Sequence, residues 1–235
     1  MIPIDVVSTE CLRPEICARS WASLQKNLKG VDWANSTLYL NIDPSPWPGH
    51  YPEESVQAVE DAAGRFFSQI VVRKPQRPCY PAAVRWGWLV PTRQHFLHWQ
   101  ADWVFLETAH LIEPLLAWQA ASEDDGSVVA FHFRHSMGFK FVDRLCMNPF
   151  IDTMTARWVA KRLDDSAGPE AQLRPPGFRP GGRGLGVGLH ALHWPDDRVV
   201  IRDIGREWMR ENRLRKAGGS GFVTWESDDD AEPRP

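Results

Sequence analysis

Residues His95–Glu107 read HFLHWQADWVFLE. An apolar, aromatic run meets a single acid, Asp102, between Trp99 and Trp103, and then turns apolar again. Stripping water from an unpaired carboxylate is costly. Asp102 is therefore either hydrogen-bonded for structure or holding something cationic. Phe96–Gln100 has the length and composition of a strand, which puts Asp102 at its carboxyl end.

Working outward, strand and helix patterns alternate. Ile4–Ser8 is a short apolar run expected to form a buried strand. Pro14 suits the first turn of a helix, and Ile16, Ser20, Leu24 and Leu28 continue it at helical spacing. Thr37–Ile42 (TLYLNI) reads as a second strand, closed by Asp43 and the breakers PSPWPG. Pro52–Phe67 begins acidic, as a helix dipole prefers. Ile70–Val72, Pro81–Val90, Thr108–Ala121 and Val128–Phe133 continue as strand, helix, helix and strand, with Phe96–Gln100 between the two helices. This alternation predicts an α/β fold: a mostly parallel sheet flanked by helices. Ligands in such sheets bind beyond the carboxyl ends of the strands. That rule gathers Ser8-Thr9, Asp43 and Asp102 on one rim.

The pattern then loosens. Asp152–Leu163 reads as a helix, and RPPGFRPGGRGLGVG (174–188) is too rich in Gly, Pro and Arg for a regular element. A loop of that length inside a domain is often a functional lid. A strand at Val199–Ile201, a basic helix at Ile204–Arg215 and the motif GFVTWE follow. The acidic stretch 227–235 is expected to be a disordered tail. Residues 1–226 are read as one domain, with a regular half over 1–107 and a smaller, irregular half over 108–226.

Net charge is −3, unevenly spread: residues 126–220 carry 16 basic and 10 acidic side chains, a local +6. Such a field suits an anionic partner such as a diphosphate, a nucleic acid or an acidic glycan. Cys11, Cys17, Cys79 and Cys146 have no metal-type spacing and fit reduced thiols. No run approaches a membrane span, and the first ten residues lack a basic-then-apolar leader, so a cytoplasmic protein is expected. Patterns for a nucleophilic serine elbow, a P-loop or a strand-borne dinucleotide fingerprint are absent.

Several segments, taken in order, resemble GT-A fold nucleotide-sugar glycosyltransferases of small bacterial and bacteriophage type. The opening VVSTECLRPEICARSWASLQKNL is similar to their first strand, turn and helix; TLYLNID to their second strand; AAVRWGW and FLHWQADWVFL to the helix and acidic strand; LCMNPFID and GPEAQL to the acceptor side; and RDIGREWMRENRLRKAGGSGFVTWE to the close. The resemblance implies a Rossmann-like GT-A fold. Asp43 then corresponds to a nucleoside-binding acid, and Asp102 to the last acid of a motif that holds Mn²⁺ or Mg²⁺ on the donor diphosphate. The chain departs from that motif in reading Gln100-Ala101-Asp102. Glu170 corresponds to the base that deprotonates the acceptor.

Around this frame, Thr9, Arg13 and Asp43 are candidates to grip a UDP-sugar or another nucleotide-sugar donor. Asp43 equally suits a turn before Pro44. His190 and His193 (GLHALHW) are candidate further metal ligands, or satisfied core histidines. Arg85 and the loop arginines Arg174, Arg179 and Arg183 are candidates to neutralise phosphate. The expected activity is transfer of a sugar to a hydroxyl of a cytosolic acceptor: a glycan, a lipid-linked precursor or a hydroxymethylated DNA base. The alternatives are a degenerate GT-A domain that binds without turnover and a sugar-phosphate nucleotidyltransferase.

Overall fold

The computed structural model describes residues 1–45, 52–124, 128–132, 135–136, 150–162, 190–193, 201–217 and 224–228. In chain order the elements are β1 (Asp5–Glu10), α1 (Pro14–Asn27), β2 (Leu28–Lys29), β3 (Thr37–Ile42), α2 (Pro52–Gly64), β4 (Gln69–Arg73), α3 (Tyr80–Leu89), β5 (His95–His98), β6 (Trp103–Phe105), β7 (Ala109–His110) and α4 (Ile112–Asp124). Then come β8 (Val128–His132), β9 (His135–Ser136), β10 (Phe150–Asp152), α5 (Thr153–Arg162), β11 (His190–His193), β12 (Ile201–Asp203), α6 (Gly205–Glu211), β13 (Leu214–Ala217) and β14 (Thr224–Ser227).

Among the described residues the main sheet runs β11-β8-β10-β5-β1-β3-β4. Only β10 opposes the rest; it is antiparallel to both β5 and β8. The α/β, mostly parallel expectation therefore holds. β1 explains why its neighbours share a direction. It is buried on both faces, with Val6 packing into one core and Val7 into the other, as strands covered by helices on both sides must be. The larger core layer takes Trp21 and Leu24 from α1, Val59 and Ala63 from α2, and Trp118 from α4. The opposite layer takes Val84 and Trp88 from α3 and Ala156 and Ala160 from α5. α3 lies so close to β1 that a Cβ on Gly87 would come within 2.3 Å of Val7 Cγ1.

The register aligns the strand ends. Glu10 pairs with Ile42, and Val7 with His98. Glu10, Asp43 and the turn Trp99–Asp102 consequently leave the sheet on one rim. A second sheet, β6-β12-β9, continues beyond that rim. β13 and β14 form a hairpin whose buried Leu214 and Trp225 pack with Trp208 of α6 and Ile16 of α1.

Five expectations need correction. β1 runs on to Glu10, so Ser8 is not a rim residue: its buried hydroxyl donates to Glu10 Oε1 (2.7 Å) and to the Trp99 carbonyl (2.7 Å). The helix expected from Thr108 starts at Ile112, because Ala109–His110 pairs with β2 first. The strand expected over Val199–Ile201 is described at Ile201–Asp203, where it pairs with β6; residues 199 and 200 lie outside the described residues. The basic helix over Ile204–Arg215 stops at Glu211. Arg213 turns the chain with φ 50°, and Leu214–Ala217 then pairs with β14, with Leu214 buried and Arg215 and Lys216 exposed. The acidic tail does not begin at 227: Ser227 pairs with Leu214, and the Asp228 N–H donates to the Arg213 carbonyl (2.7 Å).

Candidate functional site

Asp102 is presented by a tightly fixed turn. The Trp99 N–H donates to the Val7 carbonyl (2.8 Å), which continues the β1–β5 ladder, and the Trp103 N–H closes back onto the Gln100 carbonyl (3.1 Å). The Trp99 indole donates to Ser20 Oγ (2.8 Å) and stacks on Phe105 at 5.1 Å. Gln100 stands where the resembled motif has an acid. Its amide spans two aromatics, donating to Tyr80 Oη (2.8 Å) and accepting from Trp103 Nε1 (3.1 Å). A neutral amide serves both contacts at once.

Arg13 and Asp102 meet. Arg13 Nη2 lies 3.3 Å from Asp102 Oδ2. Burial works against the guanidinium's charge, but the Asp102 carboxylate, together with the neighbouring Cys11, Cys17 and Glu10, outweighs it and the Arg13 pKa is raised. On the other side Asp102 touches the start of α6. Its carbonyl accepts from the Ile204 N–H (2.7 Å), and a Cβ on Gly205 would fall 2.4 Å from its Oδ2. Asp203, two residues before Gly205, accepts from the Gly205 N–H (2.7 Å). Burial pushes its carboxyl pKa up, and the nearby Asp102 charge pushes it further.

These groups line one cavity of about 760 Å³. Arg13, Asp102 and Asp203 are on its wall, together with Arg206 and Arg210 of α6 and Arg215 and Lys216 of β13. Two carboxylates thus face a predominantly cationic wall. Part of that charge is already matched: Arg206 Nε is 3.9 Å from Asp203 Oδ2, and Arg215 Nη2 is 3.2 Å from Glu226 Oε2. The first contact is long and the second largely exposed, so they count for little in stability.

Beneath the rim, Glu10 is buried with its carboxyl accepting from Ser8 Oγ and Cys17 Sγ (3.0 Å). Burial raises its pKa to about 8 despite those bonds. Burial likewise lifts the Cys11 thiol to about 11, which argues against a nucleophilic role.

The other sequence candidates fall in different places. Asp43 is buried and accepts from Asn41 Nδ2 (2.8 Å), while Arg73 Nη1 donates to Asn41 Oδ1 (2.8 Å). Burial raises the Asp43 pKa, and the Cys79 N–H bonded to it opposes the rise. Its own N–H donates to the Glu10 carbonyl (2.7 Å), so it belongs to the rim but not to the wall of the cavity. Thr9 is half-buried beside Asn41 in the β1–β3 pairing. Arg85 Nε donates to the Ala160 carbonyl (2.9 Å), tying α3 to α5. His190 and His193 lie in β11, paired with β8 at the opposite sheet edge from β4. Glu170, Arg174, Arg179 and Arg183 lie outside the described residues.

The sequence reading missed Asp203 and the cavity role of Arg206, Arg210 and Lys216. Their charge was visible as a basic helix, but the pairing of β12 with β6, which carries Asp203 to Asp102, joins segments a hundred residues apart. Among the described residues no cluster of three or more metal-type ligands exists. Two carboxylates do suit a hard divalent ion whose remaining ligands are phosphate oxygens and water. Asp102 and Asp203 fit that description, the like-charge push on Asp203 being what a bound cation would relieve.

No family profile and no curated protein sequence matches the chain. Solved structures do match. S. aureus TarS superposes with a TM-score of 0.56 at 8% identity, covering 89% of this chain and 39% of TarS. A TarS 1-349 structure gives 0.53 at 9% identity, covering 89% of this chain and 63% of that one. HddC from Yersinia pseudotuberculosis gives 0.48 at 12% identity, covering 86% and 94%. The chain thus spans less than two thirds of either TarS structure. At this identity the likeness speaks to architecture: the chain has a Rossmann-like, GT-A-like α/β fold, shared with S. aureus TarS.

Proposed function

We propose that this protein is a nucleotide-sugar-dependent glycosyltransferase that moves a sugar to a hydroxyl-bearing acceptor. The observation that carries this reading is the meeting of Asp102, Asp203 and a cationic wall in one cavity at the carboxyl ends of parallel strands, where α/β folds bind ligands. TarS, whose architecture the chain shares, is a glycosyltransferase.

In this reading the donor diphosphate enters the cavity. Asp102 and Asp203 hold a divalent ion, Mn²⁺ or Mg²⁺, which when bound neutralises charge on the departing diphosphate. Arg206, Arg210 and Lys216 supply fixed positive charge around the leaving group; a prearranged field of this kind stabilises charge as it develops. Asp43, tied to Asn41 and Arg73, takes the nucleoside end of the donor, with Thr9 beside it. Glu170 is the proposed base for the acceptor hydroxyl, with Arg183, His190 and His193 as further contributors from the same half of the chain. Among the described residues no helix is long and apolar enough to cross a membrane.

The test is release of nucleoside diphosphate from a panel of UDP-, GDP-, CDP- and TDP-sugars, with Mn²⁺ and with chelator. Turnover that Asp102→Asn and Asp203→Asn both abolish, while the chain stays folded, supports the reading. Tight nucleotide binding with no hydrolysis or transfer across the panel supports the second reading, a binding domain without turnover. The neutral Gln100 and the guanidinium already placed on Asp102 favour that alternative.

A further inference from the structure

Arg13 is only 7% exposed, and three groups surround its guanidinium. Cζ lies 5.3 Å from the Trp208 ring centroid and 5.5 Å from that of Trp225, and Nη2 lies 3.3 Å from Asp102 Oδ2. The two rings meet edge to face at 5.6 Å, so together they form a corner around the cation. Trp208 comes from α6 and Trp225 from β14, whereas Arg13 opens α1 and Asp102 ends the β5 turn. The backbone beneath Arg13 is fixed: its N–H donates to the Cys11 carbonyl (2.8 Å), and its carbonyl accepts from the Cys17 N–H (3.1 Å). A planar guanidinium can stack on aromatic faces while its edge holds a carboxylate; an ammonium cannot do both in this way.

We propose that Arg13 is the positioning residue of this site. Clamped by Trp208 and Trp225, it fixes the Asp102 carboxylate through Oδ2, so that docking of the α6–β14 unit and orientation of Asp102 become a single event. This reassigns Arg13 from a donor contact to a strut between two parts of the cavity wall. The proposal rests on the reading of Asp102 as the ligand-holding carboxylate. A strut is needed because Asp102 stands on a turn and carries 18% side-chain exposure. Left alone it would sample several rotamers, and misplacement of a reacting group by about 1 Å can cost about a hundredfold in rate.

The experiment pairs hydrogen–deuterium exchange with donor-hydrolysis kinetics on the full chain, using the hydrolysed sugar nucleotide from the panel above. The variants are Arg13→Gln, Arg13→Lys and Trp225→Leu. Arg13→Gln is expected to speed exchange across residues 205–217 and to lower kcat by about tenfold or more, with KM changed by less than about threefold. Arg13→Lys keeps the charge without the fork and recovers part of kcat. Trp225→Leu removes half of the corner without replacing Asp102 or Arg13, and lowers kcat in the same direction; it also carries the test should Arg13→Gln fail to fold. Unchanged exchange over 205–217 overturns the clamp. Faster exchange with unchanged kcat, or a rise in KM alone, overturns the positioning role. Wild-type protein that hydrolyses no donor, or Asp102→Asn that keeps full turnover, defeats the underlying reading and the positioning role with it. The exchange arm still decides the clamp in that case.

Discussion

A methyl group on Gly205 would lie 2.4 Å from Asp102 Oδ2 and 3.0 Å from its Cβ and Cγ. The start of α6 is therefore moulded onto the Asp102 side chain, and no larger residue fits without turning the carboxylate away. Gly205→Ala is expected to reduce donor hydrolysis by about tenfold or more through this displacement, with only a small change in melting temperature. A variant with full turnover would show that Asp102 tolerates movement.

Gly87 and Val7 repeat this logic in the core. Alanine normally strengthens a helix over glycine by about 1 kcal/mol. Here its Cβ would strike Val7 Cγ1 on the central strand. Overpacking costs about 1–3 kcal/mol, so Gly87→Ala should lower stability in denaturant unfolding. A double-mutant cycle with Val7→Ala should return a coupling of about 1 kcal/mol or more. Strict additivity would place the two residues out of contact.

Glu10 gives stability a pH dependence whose sign is fixed. Its carboxyl keeps a proton up to about pH 8 in the folded chain, against an ordinary value of 4.5. Between those values the unfolded chain has released a proton that the native state retains, so stability falls as pH rises through this window and levels off above it. Glu10→Gln should remove that slope, read as denaturation midpoints measured from pH 5 to 9. Parallel curves for the two proteins would refute the assignment.

His98 works in the other direction. Wholly buried against Trp88, whose indole donates to its Nδ1 (3.3 Å), it has a pKa lowered by burial to about 3 from 6.5. The unfolded chain takes up a proton first as pH drops, so stability is lost on acidification from about 6.5 downward. His98→Gln should flatten the acid limb of the same midpoint curve. An acid limb that persists unchanged would assign the loss to other groups.

Arg210 and Lys216 line the cavity from two adjacent elements. The pair Arg210→Gln and Lys216→Gln should weaken UDP binding several-fold in calorimetry at low salt. The gap between mutant and wild type should narrow as added salt screens the field, whose range is about 8 Å at physiological ionic strength. A salt-independent deficit would mean that these side chains shape the wall and do not act through charge.

The sheet was legible because its strands are short apolar runs bounded by breakers; TLYLNI matches β3 residue for residue. The rim at Asp102 was legible for a related reason, a lone acid inside an aromatic strand. What stayed hidden depended on long-range pairing. Asp203 reads as an ordinary acid before a basic helix until β12 is seen against β6. The same helix was read too long because Arg215 and Lys216 favour helices on their own. Only the opposing strand with Trp225 shows that Leu214 turns inward. The enclosure of Arg13 was hidden in the same way, because nothing in its neighbourhood of sequence contains the two tryptophans that surround it.

The cavity wall is stitched together from residue 13 at one extreme and residues 203–216 at the other. A nascent chain reaching only residue 200 would contain every strand from β1 to β5 and yet lack Asp203, the α6 arginines and the aromatic corner. The cavity wall is therefore completed only when that later stretch emerges, and a prematurely terminated product would lack the groups that close it.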